Sequence, residues 1–275
     1  MKKVLSIAGS DCSGGAGIQA DLKTFAAHGV FGMSVVVSVV AENTSRVIDI
    51  QDVTPDMILK QIEAVFEDIE VDAVKVGMLS NPGCMQAVAD GLLKWNSPST
   101  PVVVDPVMYA KNGSPLMAEG SIDALIKTML PLADVLTPNV PEAEKISGMK
   151  INSLSDMEAA AKRICELGCR GAVLVKGGHS VGGTDQSRAI DVLYDGIVGV
   201  FSRFDAPRVD TKNTHGTGCT YSSAIASNLA LDMDLRSATL RAKAYVTTAI
   251  EHALPIGKGC GPTHHFYELY RHGLN

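Results

Sequence analysis

The sequence predicts an α/β fold in which helices cover both faces of a mainly parallel central sheet, giving three layers. Short apolar runs alternate with longer amphipathic segments along most of the chain, which is typical of repeated βα units. Several of the short runs are β-branched almost throughout, as expected for strands that are covered on both faces. Late in the chain, two apolar runs follow each other closely and predict antiparallel strands on one edge of the sheet.

Six of the apolar runs are the predicted parallel strands. They cover residues 4–8, 32–40, 73–77, 102–105, 135–137 and 172–176. Residues 190–194 and 198–204 lie on either side of Asp195 and Gly196, and these turn residues predict a hairpin.

The amphipathic segments are the predicted helices. They cover residues 18–27, 55–66, 83–95, 121–130, 156–167, 217–231 and 235–253. Two of them have clear start signals. Thr54 with Pro55 predicts an N-cap followed by a proline at the first helical position, and Ser155 with Glu158 predicts a capping box.

The composition is that of a globular protein, and we predict one domain over residues 1–275. The formal net charge of -6 argues against a surface that binds nucleic acid or anionic lipid. No apolar stretch approaches the roughly 20 residues that span a bilayer. The short apolar run after the first lysines does not resemble a signal peptide. The expected location is the cytoplasm.

The six cysteines are expected to be free thiols, because no secretory signal accompanies them. Cys260 with His264 and His265 offers fewer than the four ligands of a structural zinc site, so a polar loop is the favoured interpretation there.

A glycine-rich turn at Gly216, Thr217 and Gly218 comes directly before Cys219 and a run of small residues. It allows the backbone to turn sharply into a helix, whose first N–H groups and positive dipole end then point at one place. This arrangement suits the charge on a phosphoryl group during transfer. The same helix end predicts a lowered pKa for Cys219. The alternative is a plain helix cap beside a buried cysteine.

Polar residues follow several predicted strands, at the end where an open α/β sheet binds ligands. Asp105 follows one strand, and Glu142 lies shortly after the next. Two such carboxylates suit Mg²⁺, although both could instead cap the segments that follow. Lys176 ends another strand beside flexible glycines and is a plausible contact for nucleotide phosphates.

The glycines of residues 13–17 likewise follow a strand and precede a helix. They do not form G-x-G-x-x-G, and the sequence contains no G-x-x-x-x-G-K-[ST]. Neither a Rossmann nor a P-loop site is therefore expected.

Together these motifs resemble the ribokinase superfamily, and within it the hydroxymethylpyrimidine/phosphomethylpyrimidine kinases of thiamin biosynthesis. The resemblance runs nearly from end to end and rests on residues 7–11, 14–23, 74–79, 105–108, 137–139, 142–143, 175–179 and 213–220. It implies a ribokinase-like three-layer α/β/α sandwich. It also implies that ATP, with Mg²⁺, converts 4-amino-5-hydroxymethyl-2-methylpyrimidine to its monophosphate and then to its diphosphate. Relatives of this fold commonly form homodimers.

The resemblance further implies a role for each matched residue. Those implied to contact the pyrimidine are Gly9, Ala16, Asp21, Glu42, Met78 and Val107. Those implied to contact the nucleotide are Asn139, Lys176 and Gly178, together with the hole formed by Gly216, Thr217 and Gly218. Asp105 and Glu142 are implied to serve Mg²⁺. Cys219 stands where much of the superfamily has an aspartate as the catalytic base.

One position departs from the family pattern, because Glu42 stands where the family usually has glutamine. This difference bears on how the pyrimidine is recognised.

Two other interpretations remain open. A pyridoxal kinase of the same fold, or an enzyme that takes both ligands, also fits a cysteine at position 219. A regulator that binds a pyrimidine without catalysis is opposed by the retention of Asp105, Glu142, Lys176 and the glycine-rich turn. The stretches 111–115 and 179–185 are candidate lids.

Overall fold

A central sheet organises the computed structural model of the chain, which describes residues 1–110, 113–118, 120–178 and 185–273. The strands of this described part are β1 (Lys3–Gly9), β2 (Phe31–Glu42), β3 (Val47–Asp52), β4 (Ala73–Val76), β5 (Val102–Val104), β6 (Val135–Leu136), β7 (Ala172–Val175), β8 (Arg188–Asp195) and β9 (Val200–Pro207). They lie in the order β3-β2-β1-β4-β5-β6-β7-β8-β9.

The centre of the sheet is parallel and its edges are antiparallel. Every neighbouring pair from β2 to β7 is parallel, which confirms the predicted parallel core. The strands β8 and β9 form the predicted hairpin beside β7. At the opposite edge, β3 pairs antiparallel with β2 and was not predicted. Its sequence carries Asp49 and Asp52 and is mostly exposed, so it lacks the apolar run that marks the inner strands.

Helices cover both faces of this sheet. They are α1 (Gly17–Ala27), α2 (Pro55–Asp68), α3 (Pro82–Trp95), α4 (Ile122–Ala124), α5 (Val140–Ser147), α6 (Leu154–Glu166), α7 (Thr217–Ala230), α8 (Leu235–Glu251) and α9 (Tyr267–Gly273). Alternate residues of β5 face opposite cores. Val102 and Val104 pack in the core that includes α2, α3, α5 and α6, whereas Val103 packs with α1, α7 and α8. The predicted three-layer architecture is therefore confirmed.

Local signals predicted some helix ends correctly and others wrongly. The Thr54 hydroxyl accepts from the Met57 amide ahead of α2, as predicted. The capping box at Ser155 and Glu158 is wrong, because α6 starts two residues earlier than predicted and Ser153 is its N-cap.

One predicted helix is broken. Residues 121–130 form the single turn α4, then a π-helical turn (Leu125–Met129) and the start of a 3₁₀ turn (Leu130–Leu132). Pro131, the second residue of the 3₁₀ turn, has no N–H to continue an α-helix. The helices α5 and α9, of 8 and 7 residues, were not predicted because they are too short for a clear period. Among the described residues, no helix is long and apolar enough to cross a membrane.

Candidate active site

The candidate site lies where the parallel strands end, because their carboxyl ends meet at one edge of the sheet. Gly9 ends β1, Asp105 follows β5 and Lys176 follows β7. The α7 helix begins at the same edge. A Cβ atom on Gly218 would lie 3.3 Å from Asp105 Oδ2 and 3.4 Å from Lys176 Nζ. The glycine-rich turn and the two strand-end charges, which the sequence predicted separately, thus face each other.

The turn at Gly216 requires glycine for two reasons. Its φ of 76° lies in the left-handed region. In addition, a Cβ atom there would lie 1.8 Å from the carbonyl oxygen of Gly15. The turn therefore packs backbone against backbone on the N-terminal glycine loop. No side chain caps α7, and the Thr217 amide donates to the Thr214 carbonyl at 3.3 Å, which leaves the amides of Gly218 and Cys219 for an anion in the site.

Asp105 and Lys176 form a buried ion pair opposite this turn. Lys176 Nζ lies 2.7 Å from Asp105 Oδ1, which also accepts from the Thr137 hydroxyl at 3.0 Å. Burial alone would lower the pKa of Lys176, but Asp105 and Glu142 outweigh it and hold the pKa above its usual value. Lys176 is therefore a permanent positive charge beside the turn.

Glu142 is the carboxylate of a capping box at the start of α5. Its Oε2 accepts from the Asn139 amide at 2.8 Å, and the Asn139 side chain accepts from the Glu142 amide. This is the capping role that the sequence left open. Burial raises the pKa of Glu142 to about 7, with Lys176 opposing the rise and Asp105 adding to it.

The N-terminal loop is organised by a carboxylate to which the sequence analysis gave no role. Asp11 accepts from the amides of Ser13, Gly15 and Ala16, and its Oδ2 lies 2.8 Å from His215 Nε2. Burial by itself would raise the pKa of Asp11, but these hydrogen bonds hold it below its usual value. His215, which precedes Gly216, is thereby bound to the loop that carries Ala16.

Glu42 ends β2 beside this loop. Ligand atoms of Asp11, Glu42 and His215 lie within 4.8 Å of one another, the one such group of three acidic, histidine or cysteine side chains in the described ranges. Burial raises the pKa of Glu42 to about 7, the charge of Asp11 adds to the rise and that of His215 opposes it. Near neutral pH, Glu42 can therefore carry a proton, as an acid or in a shared hydrogen bond.

The other residues implied to line the pyrimidine site fall into two groups. A Cβ atom on Gly9 would lie 3.1 Å from Met78 Sδ, so these two are neighbours at the ends of β1 and β4. Val107 is half-buried two residues after Asp105. Asp21, in contrast, is fully buried, and its carboxylate accepts from Ser6, Lys75 and Ser223. It forms a fully buried ion pair with Lys75.

The pKa of Cys219 differs from the sequence prediction. Burial raises it to about 11, with Lys75 opposing the rise and Asp21 and Asp105 adding to it. The predicted lowering by the helix end is wrong for this state of the protein, because loss of water outweighs the helix dipole and the amide of Gly17. Cys219 is a thiol near neutral pH.

Two further expectations concern the edges of the site. The candidate lids at 111–115 and 179–185 lie partly outside the described residues. Cys260 donates to the Lys212 carbonyl at 2.8 Å, and His265 Nε2 lies 3.0 Å from the Thr220 hydroxyl. Both hydrogen bonds reach residues 45 or more positions away, and His265 is buried against α7.

Comparison with known proteins found a matching family and several similar chains. Residues 11–264 match the family described as phosphomethylpyrimidine kinase. The chain is 44% identical over 269 residues to the hydroxymethylpyrimidine/phosphomethylpyrimidine kinase of Haemophilus influenzae, covering 97% of each. It is 47% identical over 262 residues to the thiamine biosynthesis bifunctional protein ThiED of Geobacter sulfurreducens, covering 95% of this chain and 52% of that protein. It therefore spans about half the length of ThiED.

The fold is similar to a solved structure as well. The ADP complex of Bacillus subtilis pyridoxal kinase is 37% identical, with a TM-score of 0.87 over 98% of this chain and 99% of that one.

Proposed function

This chain belongs to the phosphomethylpyrimidine kinase family, and from that premise we infer that it phosphorylates hydroxymethylpyrimidine in two steps. ATP donates a phosphoryl group first to the hydroxymethyl oxygen and then to the resulting phosphate. The observation that carries this inference is that the first turn of α7 faces the ion pair of Asp105 with Lys176, whose charged atoms lie within 3.4 Å of the place a Cβ atom on Gly218 would take. Helix amides and a lysine that face each other in this way stabilise the charge of a phosphoryl group during transfer.

In the first step, the hydroxymethyl oxygen attacks the terminal phosphorus of ATP, the bond to ADP breaks and the hydroxyl proton leaves. The thiolate form of Cys219, the residue after Gly218, takes that proton. Lys176 and the first amides of α7 stabilise charge on the transferred group. Gly9, Ala16, Glu42, Met78 and Val107 are proposed to hold the pyrimidine, and Asn139 and Gly178 the nucleotide.

Asp105 and Glu142 fit the Mg²⁺ that accompanies ATP, because their donor atoms are all carboxylate oxygens. Asp105 Oδ1 accepts hydrogen bonds from Lys176 and Thr137, whereas Oδ2 faces Gly218. When bound, the ion neutralises charge on the phosphates.

Asp105→Asn is expected to raise the Mg²⁺ concentration for half-maximal turnover by about 10–100-fold, because one charged oxygen ligand is lost. Affinity for the pyrimidine should change little. Asp134→Asn is the control, since it removes a carboxylate charge just before β6, at the end of the parallel strands away from the site. Rates titrated with Mg²⁺ measure this, and an unchanged requirement in Asp105→Asn would remove the assignment.

Pyrimidine affinity is expected to fall above pH 7, approaching about tenfold per pH unit, through loss of a proton at Glu42. A 4-aminopyrimidine offers an amino donor beside a ring nitrogen that accepts. A glutamine side chain satisfies both, and a carboxyl group does so only when a proton is shared with the ring. Because the pKa of Glu42 is about 7, the proton is present below pH 7 and lost above it.

Glu42→Gln should keep the affinity and flatten its pH dependence. Calorimetric titration of hydroxymethylpyrimidine between pH 6 and 9 measures both proteins. A flat profile in the unmodified protein would show that Glu42 does not share a proton with the ring.

The function is tested by a product assay with hydroxymethylpyrimidine, its monophosphate, pyridoxal and pyridoxine. Formation of the pyrimidine monophosphate and then the diphosphate, with ADP, is the expected result. Pyridoxal kinase activity is the second candidate, because a pyridoxal kinase shares the fold at a TM-score of 0.87. Binding without ATP consumption would indicate a regulator instead. We also propose that the chain is a single kinase domain, that it is cytoplasmic and that it forms a homodimer. Sedimentation analysis tests the homodimer.

A further inference from the structure

Asp191 on β8 joins three elements through one buried carboxylate. Its Oδ1 accepts from the Gly177 amide at 2.9 Å. Its Oδ2 accepts from the Tyr221 hydroxyl of α7 at 3.0 Å and from Lys243 Nζ of α8 at 2.7 Å. The side chain of Asp191 is 2% exposed. No sequence motif marks this residue, and the roles described above do not use it.

The first partner, Gly177, directly follows Lys176. The pairing of β7 with β8 ends where Val175 lies opposite Val192. Gly177 follows two residues after Val175, and its amide donates to the side chain of Asp191. A Cβ atom on Gly177 would lie 1.8 Å from the Ile190 carbonyl oxygen, so this turn rests directly on the β8 backbone. The contact sets where the backbone leaves the sheet after Lys176.

The next residue of this turn is held from another side. Arg208 donates to the Gly178 carbonyl at 2.6 Å and also to the carbonyls of Gln186 and Arg188. The Gly177 N–H and the Gly178 carbonyl are therefore both fixed by side chains. These two residues lie where the nucleotide phosphates are proposed to bind.

The second partner, Tyr221, ties the same carboxylate to the anion hole. Tyr221 lies four residues after Thr217, one turn into α7. Burial and the charge of Asp191 hold the pKa of Tyr221 well above its usual value, so its hydroxyl remains a donor. Lys243 supplies the charge that balances Asp191 inside the protein, where an unpaired ion would be costly.

We propose that Asp191 is a positioning residue that fixes the Lys176–Gly178 turn relative to the α7 anion hole and thereby sets the affinity for ATP. This proposal rests on the proposed function. It predicts that the nucleotide affinity depends on one acceptor oxygen at position 191, whereas the pyrimidine affinity does not.

Two double variants isolate that oxygen. Asp191→Ala with Lys243→Met removes both charges and leaves the Gly177 amide without its acceptor. Asp191→Asn with Lys243→Met removes the same charges but keeps an acceptor oxygen. The first should raise the KM for ATP by about tenfold, since displacing site groups by about 1 Å has effects of this size or larger. In the second double variant, the KM for ATP should stay within about twofold to threefold of the value in the unmodified protein. The KM for the pyrimidine should be unchanged in both double variants.

The control is Asp134→Ala. Asp134 also accepts from a backbone amide, that of Val102, and pairs with Arg170. It precedes β6 and so lies at the amino ends of the parallel strands, whereas the site lies at their carboxyl ends. This variant should lower the melting temperature without changing the KM for ATP. Equal KM values for ATP in the two double variants would overturn the proposal, as would parallel rises in both KM values.

Two further measurements do not need turnover, and the second needs no variant. Calorimetry with Mg²⁺ and a non-hydrolysable ATP analogue reports nucleotide affinity even if the pyrimidine is not the substrate, so failure of the proposed function is seen separately. In the unmodified protein, the Gly177 amide should exchange slowly with solvent, because a buried carboxylate holds it. Exchange as fast as in an exposed loop would contradict the proposal.

Discussion

Cys219→Ala is expected to slow phosphorylation of the alcohol by about 10²–10⁴-fold, the range of general base catalysis, and to slow phosphorylation of the monophosphate far less. The alcohol is neutral, and its proton must leave as the new bond forms. The phosphate monoester has a second pKa of about 6, so near neutral pH it is already mostly an anion and needs no base. The two steps thus place different demands on the same residue.

The pH dependence of the first step provides an internal check. Because the pKa of Cys219 is about 11, the thiolate is a small fraction near neutral pH and grows as the pH rises. The rate at saturating pyrimidine should therefore increase between about pH 7 and 9 in the unmodified enzyme and stay flat in Cys219→Ala. Separate assays from the alcohol and from the monophosphate measure this. Equal losses in both steps would mean that Cys219 shapes the hole and does not move a proton.

Gly218→Ala is expected to slow both phosphorylations by about 10²–10³-fold, as does removal of a donor from an oxyanion hole. The new Cβ atom would meet no backbone, since its nearest neighbours are Asp105 Oδ2 at 3.3 Å and Lys176 Nζ at 3.4 Å. The protein should therefore fold. The methyl group would stand between the α7 amides and the ion pair of Asp105 with Lys176, where the transferred phosphoryl group is proposed to lie in both steps.

Gly83→Ala is the matched control. Gly83 is the second residue of α3, as Gly218 is of α7, and a Cβ atom there would lie 3.2 Å from Asn81 Oδ1. It should retain turnover and a similar melting temperature. Product formation under single-turnover conditions measures the step itself. Normal rates in Gly218→Ala would show that phosphoryl transfer takes place elsewhere.

The sheet was predictable where the sequence contains continuous β-branched runs. Val102, Val103 and Val104 form such a run, and the structure places them in a central strand covered on both faces. The edge strand β3 was missed because exposed acidic residues interrupt its apolar ones. The family resemblance, which rested on several motifs together, is confirmed by the match over residues 11–264.

The residues of the candidate site that follow the ends of strands were predictable from the sequence. Asp105 and Lys176 meet because parallel strands bring their carboxyl ends together. The pKa of Cys219 could not be predicted, since it depends on burial and on Lys75, Asp21 and Asp105, none of which is close to Cys219 in sequence. The role of Asp191 was hidden for the same reason, because its partner Lys243 is 52 residues away.

The contact of Gly216 with Gly15 has a consequence for biosynthesis. The loop that carries Ala16 is made early by the ribosome, but its packing partner emerges about 200 residues later, along with the His215 ring that binds Asp11. Strand β1 also lies between β2 and β4, so the centre of the sheet can form while the loop beside it still lacks that partner. Domains generally fold as units during synthesis. The contacts that join the N-terminal loop to the start of α7 can therefore form only after residue 216 has been made.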